Sequence, residues 1–174
     1  MEQEELLKQW IHTYYDRLTY IAFTYLHDQN MAEDLVQQSF INAYLSLAQL
    51  KEPNRPYPWL VRIVINLCHN VTRKTRREQP VEFLPEQRSM SAEDVYMQKT
   101  RNKEVYITVI SLPEKLRTPI ILYYFEELSI REIAEALSLS EGAVKTRLSR
   151  GRDQLKNKLR GVDAGGFGVT FTSS

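Results

Sequence analysis

The stretch that most constrains this chain runs from Ser129 to Arg152 and reads SIREIAEALSLSEGAVKTRLSRGR. It predicts two short helices joined by a tight turn. Ser129 followed three residues later by Glu132 is the pattern of a reciprocal N-terminal cap, in which each side chain accepts a backbone N–H from the other residue. Ile133, Ala134 and Leu137 then recur at helical spacing, and Ala134 is small enough for a second helix to cross closely. Ser138-Leu139-Ser140 carries the turn, with Leu139 as an apolar plug beneath it. Ser140 suits an N-cap, and Glu141 complements the positive end of the helix dipole. On the second helix Val144 and Leu148 face inward, which leaves Lys145, Thr146, Arg147, Ser149 and Arg150 on the other faces. A helix with long donors near its start fits a DNA major groove, where they meet base edges and phosphates. The same residues also describe an ordinary helical hairpin with a basic solvated face, so this segment alone leaves both readings open.

At 174 residues the chain is long enough for one ordinary domain or two small ones. With 43% hydrophobic and 26% charged residues it is globular rather than disordered. A net charge of +1 does not by itself suggest a nucleic-acid binder, but the average hides an asymmetry. From Lys145 to Arg160 there are seven Lys or Arg against the single acid Asp153, and from Arg73 to Arg77 four with no acid. Local patches rather than net charge set where phosphate docks. Cys68 is the only cysteine, which excludes an internal disulfide and fits a reducing cytosol. No apolar run approaches the ~18–20 residues that cross a bilayer, and MEQEELLKQW lacks the layout of a signal peptide. An intracellular protein is expected.

Taken in order, residues 4–27 predict one amphipathic helix, with Leu7, Trp10 or Ile11, Tyr14, Leu18, Ile21 and Tyr25 three or four apart. Its aromatics read as core rather than as a binding platform. His27-Asp28-Gln29-Asn30 interrupts it, and Asn30 with Glu33 predicts a second helix start. On that helix Ala32, Leu35, Val36, Ser39, Ala43 and Leu47 face the core, leaving Asp34, Gln37, Gln38, Ile41 and Tyr44 nearer the outside. A face mixing acid, amides and apolar groups suits docking against another protein's helices, and equally a half-buried helix. Three prolines stiffen the loop from Lys51 to Pro58, and Pro58 is placed to open a third helix. Trp59, Leu60, Ile63, Val64, Leu67 and Val71 form its expected apolar side, with Asn66, His69, Asn70, Arg73, Lys74, Arg76 and Arg77 off it. Tyr57 and Trp59 at its mouth are placed to stack on an unpaired base; for Trp59 core packing is the alternative, and the basic end also fits a solvated helix C-terminus.

Gln79 to Thr100, with two prolines and little periodicity, reads as a linker. Ser91 with Asp94 predicts the next helix start, and Val95, Tyr96, Val105, Val109 and Ile110 its apolar side. Pro113 suits a further helix start, and Thr118-Pro119 predicts a kink or restart. Ile120, Ile121, Tyr124 and Phe125 supply bulk for the last two helices to pack on. GVDAGGFGVTFTSS after Arg160 reads as a frayed tail. His12, His27 and His69 share no metal-ligand spacing. No nucleophile elbow or glycine-rich phosphate loop is present, so neither a cofactor nor an enzyme is expected.

Two stretches together resemble a known family. They are AEDLVQQSFINAYLSL followed by PWLVRIVINLCHNVTRKTRR, and LPEKLRTPIILYYFEELSIREIAEALSLSEGAVKTRLSRGRDQL. Their order and spacing resemble the extracytoplasmic-function (ECF) sigma factors of bacterial RNA polymerase, group IV of the sigma-70 family. The resemblance covers most of residues 10–160. It implies an all-α fold of two small helical domains: region 2 over residues 1–78, a flexible linker over 79–99, region 4 over 100–160 and a tail over 161–174. It also implies roles by position. Asp34, Gln37, Gln38, Phe40, Ile41 and Tyr44 would dock on the clamp helices of the largest polymerase subunit. Tyr57, Trp59, Asn66 and Asn70 would lie near the unpaired minus-10 strand, with Arg73, Lys74, Arg76 and Arg77 on its backbone. Ser140, Glu141, Lys145, Thr146, Arg147, Ser149 and Arg150 would read the duplex minus-35 element. Residues around Leu116 to Leu128 resemble the surface that meets the polymerase flap. The family further implies an anti-sigma partner, often membrane-tethered.

The chain departs from the family pattern at three places. Ser138 stands where glycine is usual in the turn, Asn70 where aspartate is common, and Val71 where an aromatic residue is. If Ser138 is left-handed, serine costs about 1–2 kcal/mol relative to glycine. The competing reading is a helix-turn-helix regulator that works without polymerase core, which leaves the Asp34–Ser46 and Asn66–Arg77 faces without a role. A third is an adaptor that uses only its N-terminal helices.

Overall fold

The computed structural model describes residues 2–78 and 103–160, and their regular structure is helical. They fall into two units, one within Met1–Ala92 and one within Glu93–Ser174. The expected all-α class with two small helical domains is the observed architecture. The linker, the cap expected at Ser91 with Asp94, Val95 and Tyr96 beyond it, and the Gly-rich tail lie outside the described residues.

The first unit is a bundle of three helices: α1 (Glu2–Leu26), α2 (Gln29–Leu45) and α3 (Tyr57–Glu78), with a single 3-10 turn at Leu47–Gln49. The first turn of α1 carries Glu2, Glu4 and Glu5 at the positive end of its dipole. Every residue from Leu18 to Tyr25 is buried, so the amphipathic period gives way to a segment enclosed on all sides. His27 ends α1 in a left-handed conformation (φ 52°). Asp28 then caps α2, its carboxylate accepting the Met31 N–H at 2.9 Å. The expected start at Asn30 is therefore two residues late, because the extended backbone required of a cap falls at Asp28 (φ −138°, ψ 118°). The buried side of α2 is mostly small: Ala32, Val36, Ser39 and Ala43, with Leu35 and Phe40. Ser39 donates to the Val36 carbonyl at 2.6 Å, which satisfies its buried hydroxyl.

On α3 the apolar stripe is rotated from expectation. The buried residues are Tyr57, Leu60, Val61, Val64, Ile65 and Cys68. Trp59, Ile63, Leu67 and Val71 are only half-buried. The Leu60 N–H bonds to the Pro56 carbonyl at 2.9 Å, so Pro58 sits at the second helical position rather than the first. Prolines in the first turn remove N–H groups that have no intrahelical partner.

The second unit comprises α4 (Lys103–Ile110), α5 (Glu114–Ile120), α6 (Ile130–Leu137) and α7 (Glu141–Leu159). Pro113 is the N-cap of α5 rather than its first helical residue. Pro119 lies inside α5 and the helix neither breaks nor restarts there; it runs into one wide turn, Ile121–Phe125, where the Glu126 N–H reaches the Ile121 carbonyl five residues back at 3.1 Å. Arg117 is buried and donates to the carbonyls of Ile110 and Leu112 at 3.2 and 3.4 Å, closing the end of α4. Val144, Leu148, Gly151, Leu155 and Leu159 form the buried side of α7.

Candidate nucleic-acid and protein interfaces

The frame of the helix-turn-helix is built by its caps. Ser129 Oγ accepts the Glu132 N–H at 3.2 Å, and Glu132 Oε2 accepts the Ser129 N–H at 2.8 Å. Ser138 is left-handed (φ 54°, ψ 47°). Its N–H reaches the Glu135 carbonyl at 3.4 Å and the Leu139 N–H the Ala134 carbonyl at 2.9 Å, a Schellman-type closure made without glycine. Ser140 Oγ then accepts the Ala143 N–H at 3.1 Å to start α7. Where α7 crosses α5, Gly151 is buried, and a Cβ there would lie 2.8 Å from Ile120 Cγ1. The crossing fixes the outward face of α7. Ser140, Glu141, Lys145, Thr146, Ser149 and Arg150 are exposed, and Arg147 is half-buried. Two neighbouring cations have internal work: Lys158 donates to Ser111 Oγ at 2.9 Å and Arg152 to the Tyr124 hydroxyl at 3.4 Å. Lys145, Arg147 and Arg150 are therefore the cations of this helix best placed for an external phosphate.

On α3, Asn66, Asn70, Arg73 and Arg77 are exposed and fall at spacings of four, three and four, along one line of the helix. Lys74 and Arg76 flank that line, and Lys74 also approaches Glu78 at 4.0 Å. Arg62, exposed and four residues before Asn66, extends it; its i, i+4 relation to Asn66 was available in the sequence. Tyr57 does not join this face. It is 6% exposed, with the Tyr14 ring at 4.9 Å and the Arg17 guanidinium 4.0 Å from its centroid. The stacking expected of Tyr57 is thus corrected: its ring is occupied in locking α3 to α1. Trp59 is half-buried and meets Trp10 edge-to-face at 6.3 Å, which leaves part of its indole at the surface.

On α2, Asp34, Gln38 and Ile41 line up outward with Leu45, flanked by Gln37 and Tyr44. Ile41 is 53% exposed, Tyr44 40% and Leu45 78%. Phe40 is 4% exposed and packs in the core, so its expected contact role is corrected to support of the face from beneath. Leu45 was missed, although it sits four residues after Ile41. In the second unit, the stretch from Leu116 to Leu128 exposes Tyr123 and Glu127, while Ile120, Ile121 and Leu122 are buried. No helix among the described residues is long and apolar enough to cross a membrane.

Comparison with known proteins places the two helical units in a family. Residues 10–78 match Sigma-70 region 2, and residues 108–155 match Sigma-70, region 4. The chain is 30% identical over 162 residues to the ECF RNA polymerase sigma factor SigW of Bacillus subtilis, covering 84% of this chain and 85% of that one. It is 31% identical over 144 residues to the ECF RNA polymerase sigma-E factor of Haemophilus influenzae, covering 76% of each. Among solved structures, the sigma factor RpoE from Bartonella quintana, crystallised with the anti-sigma factor NepR, shares the fold. The TM-score is 0.67 at 24% identity, over 90% of this chain and 97% of that one. The matches fall in chain order on the two helical units, and the chain belongs to the sigma-70 family as an ECF-type RNA polymerase sigma factor.

Proposed function

We infer that this protein binds bacterial RNA polymerase core and directs it to a restricted set of promoters. Residues 1–78 act as region 2 and residues 100–160 as region 4, joined through 79–99. The α2 face of Asp34, Gln37, Gln38, Ile41 and Tyr44, supported by Phe40, docks on the clamp helices of the largest subunit. Ile41, Tyr44 and Leu45, exposed close together at the end of α2, favour a protein partner over solvent. Asn66 and Asn70 with Trp59 receive the unpaired minus-10 strand, and Arg73, Lys74, Arg76 and Arg77 hold its phosphates. Lys145, Thr146, Arg147, Ser149 and Arg150 of α7, with Ser140 and Glu141 at its start, engage the duplex minus-35 element. The surface around Tyr123 meets the flap. Two weak readers on one chain gain from high effective concentration. The protein acts in the cytoplasm, where polymerase and promoter are, and performs no chemistry of its own. An anti-sigma factor, free or membrane-anchored, covers the same faces when the factor is held inactive.

The observation that carries this reading is the pairing of the two family matches with two separate helical units, each presenting one outward polar and basic helix face. Run-off transcription with purified core and genomic fragments tests it. Discrete starts that require the protein are expected. Protection of a duplex site by the protein alone, with no gain of starts by core, would instead support a stand-alone regulator.

A further inference from the structure

α7 contains two glycines, Gly142 and Gly151. Glycine disfavours a helix relative to alanine because it has more backbone freedom to lose, so each calls for a reason. Gly151 has one inside the fold: a Cβ would meet Ile120 Cγ1 at 2.8 Å, Ile120 Cδ1 at 3.1 Å and the Leu116 carbonyl oxygen at 3.6 Å. Gly142 has none. A Cβ there would have only Ser140 Oγ near it, at 4.0 Å. No described glycine has a positive φ, so backbone conformation does not require it either.

At about 100° per residue, Gly142, Thr146, Ser149 and Arg150 fall on the side of α7 opposite the buried Val144, Leu148 and Leu155. All four are exposed. The Thr146 hydroxyl donates to the Gly142 carbonyl at 3.0 Å, which folds that side chain back along the helix. The start of this face, at Gly142 and Thr146, is therefore low, bare backbone and one methyl group, before Ser149 and Arg150 rise from it about two turns further on. Lys145, exposed, and Arg147, half-buried, lie about 100° to either side of Thr146 around the helix. A surface that is low in the middle and cationic at both flanks is complementary to duplex DNA, with the low start in a groove and the cations on its phosphate walls.

We propose that Gly142 is the point of closest approach between α7 and the promoter duplex, its missing side chain letting the helix backbone sit against the groove. The proposal rests on α7 being the minus-35 reader. It deepens that reading by separating a residue that sets depth from those that supply charge.

The test uses the full chain with core polymerase and a promoter fragment on which the parent protein initiates. Gly142→Ala and Gly142→Val are compared with the parent for thermal midpoint, core binding without DNA, and promoter-complex affinity. Gly142→Ala is expected to keep or raise the midpoint, leave core binding unchanged and weaken the promoter complex severalfold. Gly142→Val should weaken it by roughly tenfold or more, the scale of a lost base contact. Scrambling the minus-35 element should erase the difference between variants and parent. Two results overturn the proposal: parental promoter affinity in both variants, or a fall in midpoint that parallels the loss of binding and so assigns the glycine to the fold. If the parent itself forms no core-dependent promoter complex, the failure lies with the minus-35 reading, and the role of Gly142 falls with it.

Discussion

The two helices proposed to face nucleic acid, α3 and α7, differ in how they are anchored. α7 is buried along one side from Val144 to Leu159, nearly its full length. α3 is held firmly at its start, where Tyr57 is clamped by Tyr14 and Arg17, but its last buried residue is Cys68. Residues 73–78 are all exposed. Among the described residues the basic end of α3 therefore runs on without buried side chains, whereas the cations of α7 stand on a supported frame. A reader of a rigid duplex benefits from fixed geometry. A segment that follows a single strand works with a helix end that adjusts to its ligand.

The largest expected effects test the register of these anchors. Ile65→Ala should cost about 2–5 kcal/mol as a buried large-to-small change, while Leu67→Ala should cost about 1 kcal/mol or less. Both tryptophans, Trp10 and Trp59, lie in the first unit, so urea unfolding followed by tryptophan fluorescence reads that unit directly. Equal costs would contradict the observed rotation of α3. Gly151→Ala should destabilise the second unit by about 1–2 kcal/mol, as overpacking against Ile120 exceeds the gain in helix propensity; a higher thermal midpoint by circular dichroism would show that the α5–α7 crossing gives way. Ser138→Gly should raise the midpoint, with a gain of about 1 kcal/mol from relieving a left-handed serine. The smallest effect separates the two helices most finely. Amides near 73–78 should exchange with solvent far faster than those near Leu148 and Leu155, and comparable protection in hydrogen exchange would remove the contrast in anchoring.

How well each helix could be read from the sequence follows from the same contrast. In α7 the only large apolar residues are Val144, Leu148, Leu155 and Leu159, and small, polar or charged residues fill the rest, so one register is admissible. The Ser140 cap of α7 and the Ser129–Glu132 cap of α6 were equally legible, because both act through neighbours in sequence. The left-handed conformation of Ser138 was anticipated only conditionally, through the resemblance to a family in which glycine is usual there. In α3, Trp59, Leu60, Val61, Ile63, Val64, Ile65 and Leu67 crowd the first turns, and two stripes a residue apart fit the period equally well. Packing against α1 and α2 selects between them. Tyr57 was misjudged because its partners, Tyr14 and Arg17, lie some forty residues away, beyond any local pattern. The start of α2 was read at Asn30, two residues late, because Asn30 and Glu33 have cap spacing, whereas the chain turns at left-handed His27 and puts the extended cap backbone at Asp28. Buried Arg117 and the wide turn after Pro119 left no local signal.

The most direct test of the central claim, one promoter read by two separate faces, is transcription with core polymerase on a recovered promoter. It compares Asn66→Ala/Asn70→Ala with Lys145→Ala/Arg147→Ala. The account predicts that the α3 variant still occupies the promoter but loses permanganate reactivity of thymines in the minus-10 region. It predicts that the α7 variant loses occupancy, with a shallower salt dependence, by a slope of about one unit per phosphate contact removed. Identical defects in the two variants, or starts that do not depend on core and this protein together, would contradict it.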